Sequence, residues 1–148
     1  VIGACHAGWR GAAAGIVGST VDSMRAAGAG PITALIGPTI RQPSYQVGVE
    51  MRDEVLAQVA PDIRAGAATC FVDDAPGKLR FDLARLVRLQ LDRAGIDRIH
   101  DCEIDTYTGN RTDDPDSLDY FSHRRATHAA DADCGRQIAV ISLPLSDA

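Results

Sequence analysis

Val1-Ile2-Gly3-Ala4-Cys5-His6-Ala7-Gly8-Trp9-Arg10-Gly11 is followed directly by the alanine-rich stretch Ala12 to Ala27. Val1 to Cys5 reads as a buried strand, and His6 to Gly11 as a glycine-bearing connection. From Ala12 to Ala27, Ile16, Val17, Val21 and Met24 recur at helical spacing, and Gly28 supplies the stop. Strand, tight connection and helix in succession form the unit from which α/β domains are assembled.

The alternation continues outward from that stretch. Ile32 to Ile36 is a short strand closed by Gly37-Pro38, and Arg41 to Ser44 is a loop containing Pro43. Glu50 to Val59 reads as a helix bounded by Pro61, with Met51, Val55, Leu56 and Val59 near one face. Thr69 to Val72 is a strand that enters the turn Asp73-Asp74-Ala75-Pro76-Gly77. Asp82 is an N-cap for a helix from Leu83 to Ala94, which Gly95 ends. Ile96 to Ile104 is a strand, Thr108 to Asp119 an acidic mobile loop, and Gln137 to Leu143 a closing strand. The fold class is therefore α/β.

The chain has 148 residues, 45% hydrophobic and 24% charged, which suits one globular domain and excludes disorder or collagen-like structure for its bulk. Fifteen Lys and Arg against twenty Asp and Glu give a net charge of −5, the wrong sign for a sequence-independent nucleic-acid binder. No apolar run approaches the roughly 20 residues of a membrane span, and no signal-peptide pattern is present. Cys5, Cys70, Cys102 and Cys134 are scattered, without a CxxC pair. They read as reduced thiols of a cytoplasmic protein, most of them buried. A natural terminus seldom lies inside a core strand, so the start at Val1 leads us to expect an N-terminal portion outside this chain.

Three stretches carry chemistry. In the first, His6 at a strand end can project into a cleft, the glycines permit close backbone approach, and the helix start offers N–H groups to an anion. Arg10 adds a planar fork for phosphate or carboxylate. A tight turn with a packed Trp9 and a satisfied His6 explains the same residues. Cys5 and His6 are adjacent on a strand and point to opposite faces, which argues against a catalytic pair. The second stretch is Phe121-Ser122-His123-Arg124-Arg125, either an anion cradle or a solvated basic turn. The third is Gly37-Pro38-Thr39-Ile40 with Tyr45-Gln46-Val47-Gly48. It lies past the carboxyl end of a strand, where open α/β sheets bind ligands. Tyr45 stacks on a base or sugar, or simply packs. His100 and His128 read as surface residues.

Together with Asp105-Thr106-Tyr107 and Gly135-Arg136-Gln137, these stretches resemble, in order, the laccase-domain proteins, formerly labelled polyphenol oxidases. The resemblance runs from Val1 to about Leu143. It implies a four-layer α/β/β/α sandwich with mixed sheets, incomplete here at the N-terminus. It also implies a zinc-dependent purine nucleoside phosphorylase with adenosine deaminase activity, acting on a purine nucleoside and inorganic phosphate. The implied metal site has two histidines and one cysteine. His6 matches one of these ligands, and the family's other two lie upstream of the point where this chain begins. None of the four cysteines matches the ligand cysteine. A zinc with three protein ligands keeps a position for water and lowers its pKa.

Arg10, Arg124 and Arg125, with Tyr45, are the candidate phosphate and substrate contacts, and no catalytic residue is assigned. Gln46 stands where the family commonly has glutamate, and Asp105 where cysteine is common although aspartate also occurs. Three alternatives remain open: a copper-dependent polyphenol oxidase, a cysteine hydrolase acting on a cell-wall precursor, and an inactive truncated remnant prone to self-association through bare strand edges.

Overall fold

The computed structural model describes residues 1–109 and 120–143. Two helices open it, α1 (Trp9–Ala13) and α2 (Ile16–Ala26), where the sequence predicts one. The break is at Gly15, whose φ of +84° is left-handed and cannot continue a right-handed helix. β1 (Thr33–Ile36) leads through a 3₁₀ turn at Gln42–Ser44 to β2 (Gln46–Gly48) and α3 (Val49–Gln58). A second 3₁₀ turn precedes α4 (Arg64–Ala68), then β3 (Phe71–Asp73), β4 (Lys78–Phe81), α5 (Leu83–Arg93), β5 (Arg98–Asp101) and α6 (His123–Ala129).

Two sheets organise these elements. β1 and β5 run parallel, with Ile36 opposite Asp101, so both strands end on the same side. β2, β4 and β3 form an antiparallel sheet with β4 central, and the turn after Asp73 closes the β3–β4 hairpin. The architecture is thus α/β with one parallel and one antiparallel sheet and helices packed against them.

α5 joins the two halves. Asp82 accepts the Arg85 N–H at 2.9 Å and caps the helix as the sequence predicts. Leu83 and Leu86 enter a core with Val47, Val55, Phe71, Leu79 and Phe81. Ala84 and Leu91, on another stripe of the same helix, enter a second core with Val17, Val21, Ile36 and Ile96. Spacings of three residues (Leu83 and Leu86) and of seven (Ala84 and Leu91) place each set on one face.

Several expectations are corrected. Val1 to Cys5 is not a strand, and its residues are exposed. Gln137 to Leu143 has no strand partner among the described residues, and Ile138 and Val140 are 89% and 85% exposed. β5 occupies only the centre of the predicted 96–104 strand. Of the cysteines, which are all unpaired thiols, only Cys70 is buried and Cys5 is exposed. The predicted loop 108–119 lies mostly outside the described residues. Among those described, no helix is long and apolar enough to cross a membrane.

Candidate functional site

The parallel strands β1 and β5 deliver the chain to one edge. Beyond them, Thr39 bridges to Asp105, and Thr106 N–H donates to Thr39 O at 3.0 Å. Arg41 locks this edge. Its guanidinium forms a two-pronged pair with the Asp101 carboxylate, and Nε donates to Ile104 O at 3.3 Å. That pairing holds the Asp101 carboxyl below the usual carboxylate range and raises Arg41.

Tyr45 immediately precedes β2, and its carbonyl accepts the Phe81 N–H at 3.0 Å. The ring is buried and lies 5.6 Å from the Phe81 ring, tilted by 45°. Burial pushes the Tyr45 hydroxyl above its ordinary value, while the charges of Arg124 and Arg10 pull it back. Tyr45 therefore keeps its proton at neutral pH and can donate a hydrogen bond. The Arg124 guanidinium carbon lies 5.3 Å from the Tyr45 ring centre, and Nη1 donates to Gln46 O at 2.7 Å. Gln46 Nε2 donates to Asp74 Oδ2 at 2.6 Å; a glutamate there would face a second carboxylate.

His6 and Arg10 line a shallow hollow of about 270 Å³ with Gly8, Trp9 and Gly11. Gly8 shapes it, because a Cβ there would lie 3.1 Å from His6 Nε2 and push the imidazole away. The Arg10 guanidinium stacks on Trp9, 4.3 Å from the ring centre. The helix expected to present N–H groups here is a turn of five residues, so its dipole adds little.

The structure thus brings Arg124 over Tyr45, leaves Arg10 near enough for its charge to act on the Tyr45 hydroxyl, and places His6 beside Arg10. Arg125 goes elsewhere. Its guanidinium donates to the carbonyls of Thr106, Tyr107 and Tyr120, at 3.1, 2.9 and 2.5 Å. It clamps a turn, whereas no carboxylate pairs with Arg10 or Arg124 among the described residues. Arg41, Asp101, Asp105 and Tyr107 take part through contacts that span up to 64 positions, and only the Asp105-Thr106-Tyr107 stretch carries a signal in the sequence.

The described residues do not by themselves make a metal site. No group of three His, Cys, Asp or Glu side chains converges among them, and His6 offers a single imidazole. A catalytic zinc needs three protein ligands.

The sequence pattern of a family described as multi-copper polyphenol oxidoreductase laccase matches residues 1–144. A purine nucleoside phosphorylase of Pseudomonas aeruginosa is 34% identical over 127 residues, 85% of this chain and 47% of the relative. The Escherichia coli purine nucleoside phosphorylase YfiH is 36% identical over 124 residues, 84% of this chain and 45% of the relative. The crystal structure of the Bacillus licheniformis hypothetical protein YfiH superposes with a TM-score of 0.67 at 31% identity, covering 83% of this chain and 44% of that one. This chain spans about half the length of the curated relatives it matches.

Proposed function

The chain belongs to the multi-copper polyphenol oxidoreductase laccase family, and on that footing we propose that it forms part of a purine nucleoside phosphorylase. The carrying observation is the Arg124 guanidinium lying over the Tyr45 ring without a carboxylate partner among the described residues, with the charge of a second such guanidinium, Arg10, also acting on the Tyr45 hydroxyl. Relatives bearing the name purine nucleoside phosphorylase support the reading.

In phosphorolysis a phosphate oxygen attacks the ribose C1′, and the C1′–N bond to the base breaks with its electrons leaving on the base. The task for this chain is to hold the phosphate. Two guanidiniums offset its charge, and the protonated Tyr45 hydroxyl donates a further hydrogen bond. Arg125, already clamping three carbonyls, is left out of the phosphate contacts.

Adenosine deamination and a zinc centre belong to the same proposal. His6 supplies one ligand, and the remaining ligands come from outside the described residues. No step above depends on the metal. A copper site would require the same additional donors.

Calorimetric titration of inorganic phosphate into the protein tests the reading. Replacing Arg124 with Met, or Arg10 with Met, should weaken phosphate binding about tenfold or more, because a charge-assisted hydrogen bond contributes about 1.5–3 kcal/mol. Unchanged affinity in both variants would remove the phosphate role. Intact mass and elemental analysis of the protein as its source cell makes it test the metal. About one zinc per chain, lost on His6→Ala, is the expected result. A protein without zinc would end the zinc part of the proposal.

A further inference from the structure

We propose that Asp105 is a positioning residue that docks α6 and so holds Arg124 over Tyr45; this rests on the phosphate reading above. The argument begins with an oddity of α6. The helix His123–Ala129 contributes no buried side chain, so apolar packing does not seat it. Hydrogen bonds do. Arg124 reaches Gln46 O, Arg125 reaches Thr106 O, Tyr107 O and Tyr120 O, and His128 Nδ1 meets the Tyr107 hydroxyl at 2.9 Å. Tyr107 is thus held at both its carbonyl and its hydroxyl, and its ring meets the His128 ring edge-on at 5.6 Å between centres.

The turn that carries Tyr107 is fixed by one carboxylate. Asp105 Oδ1 accepts the Tyr107 N–H at 2.9 Å and the Arg41 N–H at 3.3 Å. Asp105 Oδ2 accepts the Ser44 hydroxyl at 2.5 Å. Ser44 immediately precedes Tyr45, and Arg125 immediately follows Arg124. The contacts therefore close a circuit from Tyr45 through Ser44, Asp105, Tyr107 and Arg125 to Arg124, which lies over the Tyr45 ring. Only an acceptor on both side-chain oxygens satisfies all three donors as they are placed. An asparagine keeps Oδ1 for the two N–H groups and can turn its amide toward the Ser44 oxygen. An alanine satisfies none of them.

The test uses the full chain and two readouts. The first is the proton resonances of the Arg124 side chain, shifted upfield by the Tyr45 ring current. The second is the dissociation constant for inorganic phosphate. Asp105→Ala should abolish most of the ring-current shift and weaken phosphate binding about tenfold, while the Phe81 and Leu86 resonances stay in place. Ser44→Ala should fall between Asp105→Ala and the wild type, and Asp105→Asn should retain most of the shift. A folded Asp105→Ala protein that keeps both the shift and the affinity to within twofold overturns the proposal. Should Asp105→Ala fail to fold, Ser44→Ala decides it by the same criterion. Should the wild type show the ring-current shift without binding phosphate, loss of the shift in Asp105→Ala still supports the positioning role, and the phosphate reading alone fails.

Discussion

Replacing Phe81 with leucine separates the core from the site it supports. Phe81 is fully buried. Its ring stacks on Phe71, with centres 4.4 Å apart and planes 10° from parallel, and meets Tyr45 at 5.6 Å. Leucine removes both aromatic pairs, at about 0.5–1.5 kcal/mol each. It also leaves a void of roughly 25 Å³, which costs about 0.6 kcal/mol at ~24 cal/mol per Å³. The expected loss is therefore about 2–3 kcal/mol. At a urea dependence of about 2 kcal/mol per molar, the unfolding midpoint should fall by about 1–1.5 M with an unchanged slope. Phe71→Leu breaks one of the two pairs and leaves Tyr45 backed, so its midpoint should fall by about half as much. Phosphate affinity should drop several-fold in Phe81→Leu and stay within about twofold in Phe71→Leu, since a tenfold loss of affinity corresponds to only ~1.4 kcal/mol. A Phe81→Leu midpoint within about 0.3 M of the wild type would falsify the view of Phe81 as the shared support.

Four further outcomes follow from the same geometry. Asp101, whose carboxyl is held low by Arg41, stabilises the fold fully above about pH 4, its unfolded range, and ceases to do so as pH falls through the lowered folded value. Asp101→Asn should flatten that acid limb and cost about 1–3 kcal/mol at neutral pH, read by urea titration at several pH values. Burial pushes the Cys70 thiol up to about 11, so iodoacetamide at pH 8 should label exposed Cys5 readily and Cys70 only after unfolding, as peptide mass spectrometry would show. Asp82→Ala removes the cap of α5 and should cost about 1 kcal/mol in urea titration. Leu35 is 71% exposed on the face of β1 turned away from the helices, so sedimentation should reveal concentration-dependent association that Leu35→Lys weakens.

Local signals were the legible part of the fold. α5 is bounded as read, to within one residue at its end, because Asp82 and Gly95 act on the backbone next to them. The α1–α2 break was not legible. A glycine inside an apolar periodicity can be an ordinary helical residue, and only its positive φ in the folded chain distinguishes Gly15. Val1 to Cys5 and Gln137 to Leu143 have strand-like composition, but a strand is a property of a hydrogen-bonded pair. Neither segment pairs among the described residues. The Arg41–Asp101 pair spans 60 positions, and no spacing rule reaches that far.

The site shows where charge in a sequence becomes chemistry in a structure. Arg124 and Arg125 are adjacent and chemically identical, so the sequence gives no reason to separate them. A helix rotates successive side chains by about 100°, and that rotation sends them to different partners. Arg125 meets three carbonyls and fastens α6, while Arg124 lies over Tyr45. The neighbouring cations sort in the same way. Arg41 is balanced by Asp101 and Arg80 by Asp74. Arg10 rests on Trp9 instead of a carboxylate. In a chain with a net charge of −5, two guanidiniums without carboxylate partners among the described residues, both acting on one buried hydroxyl, form a local positive field against the overall sign. On the phosphate reading proposed above, a bound anion would offset that field.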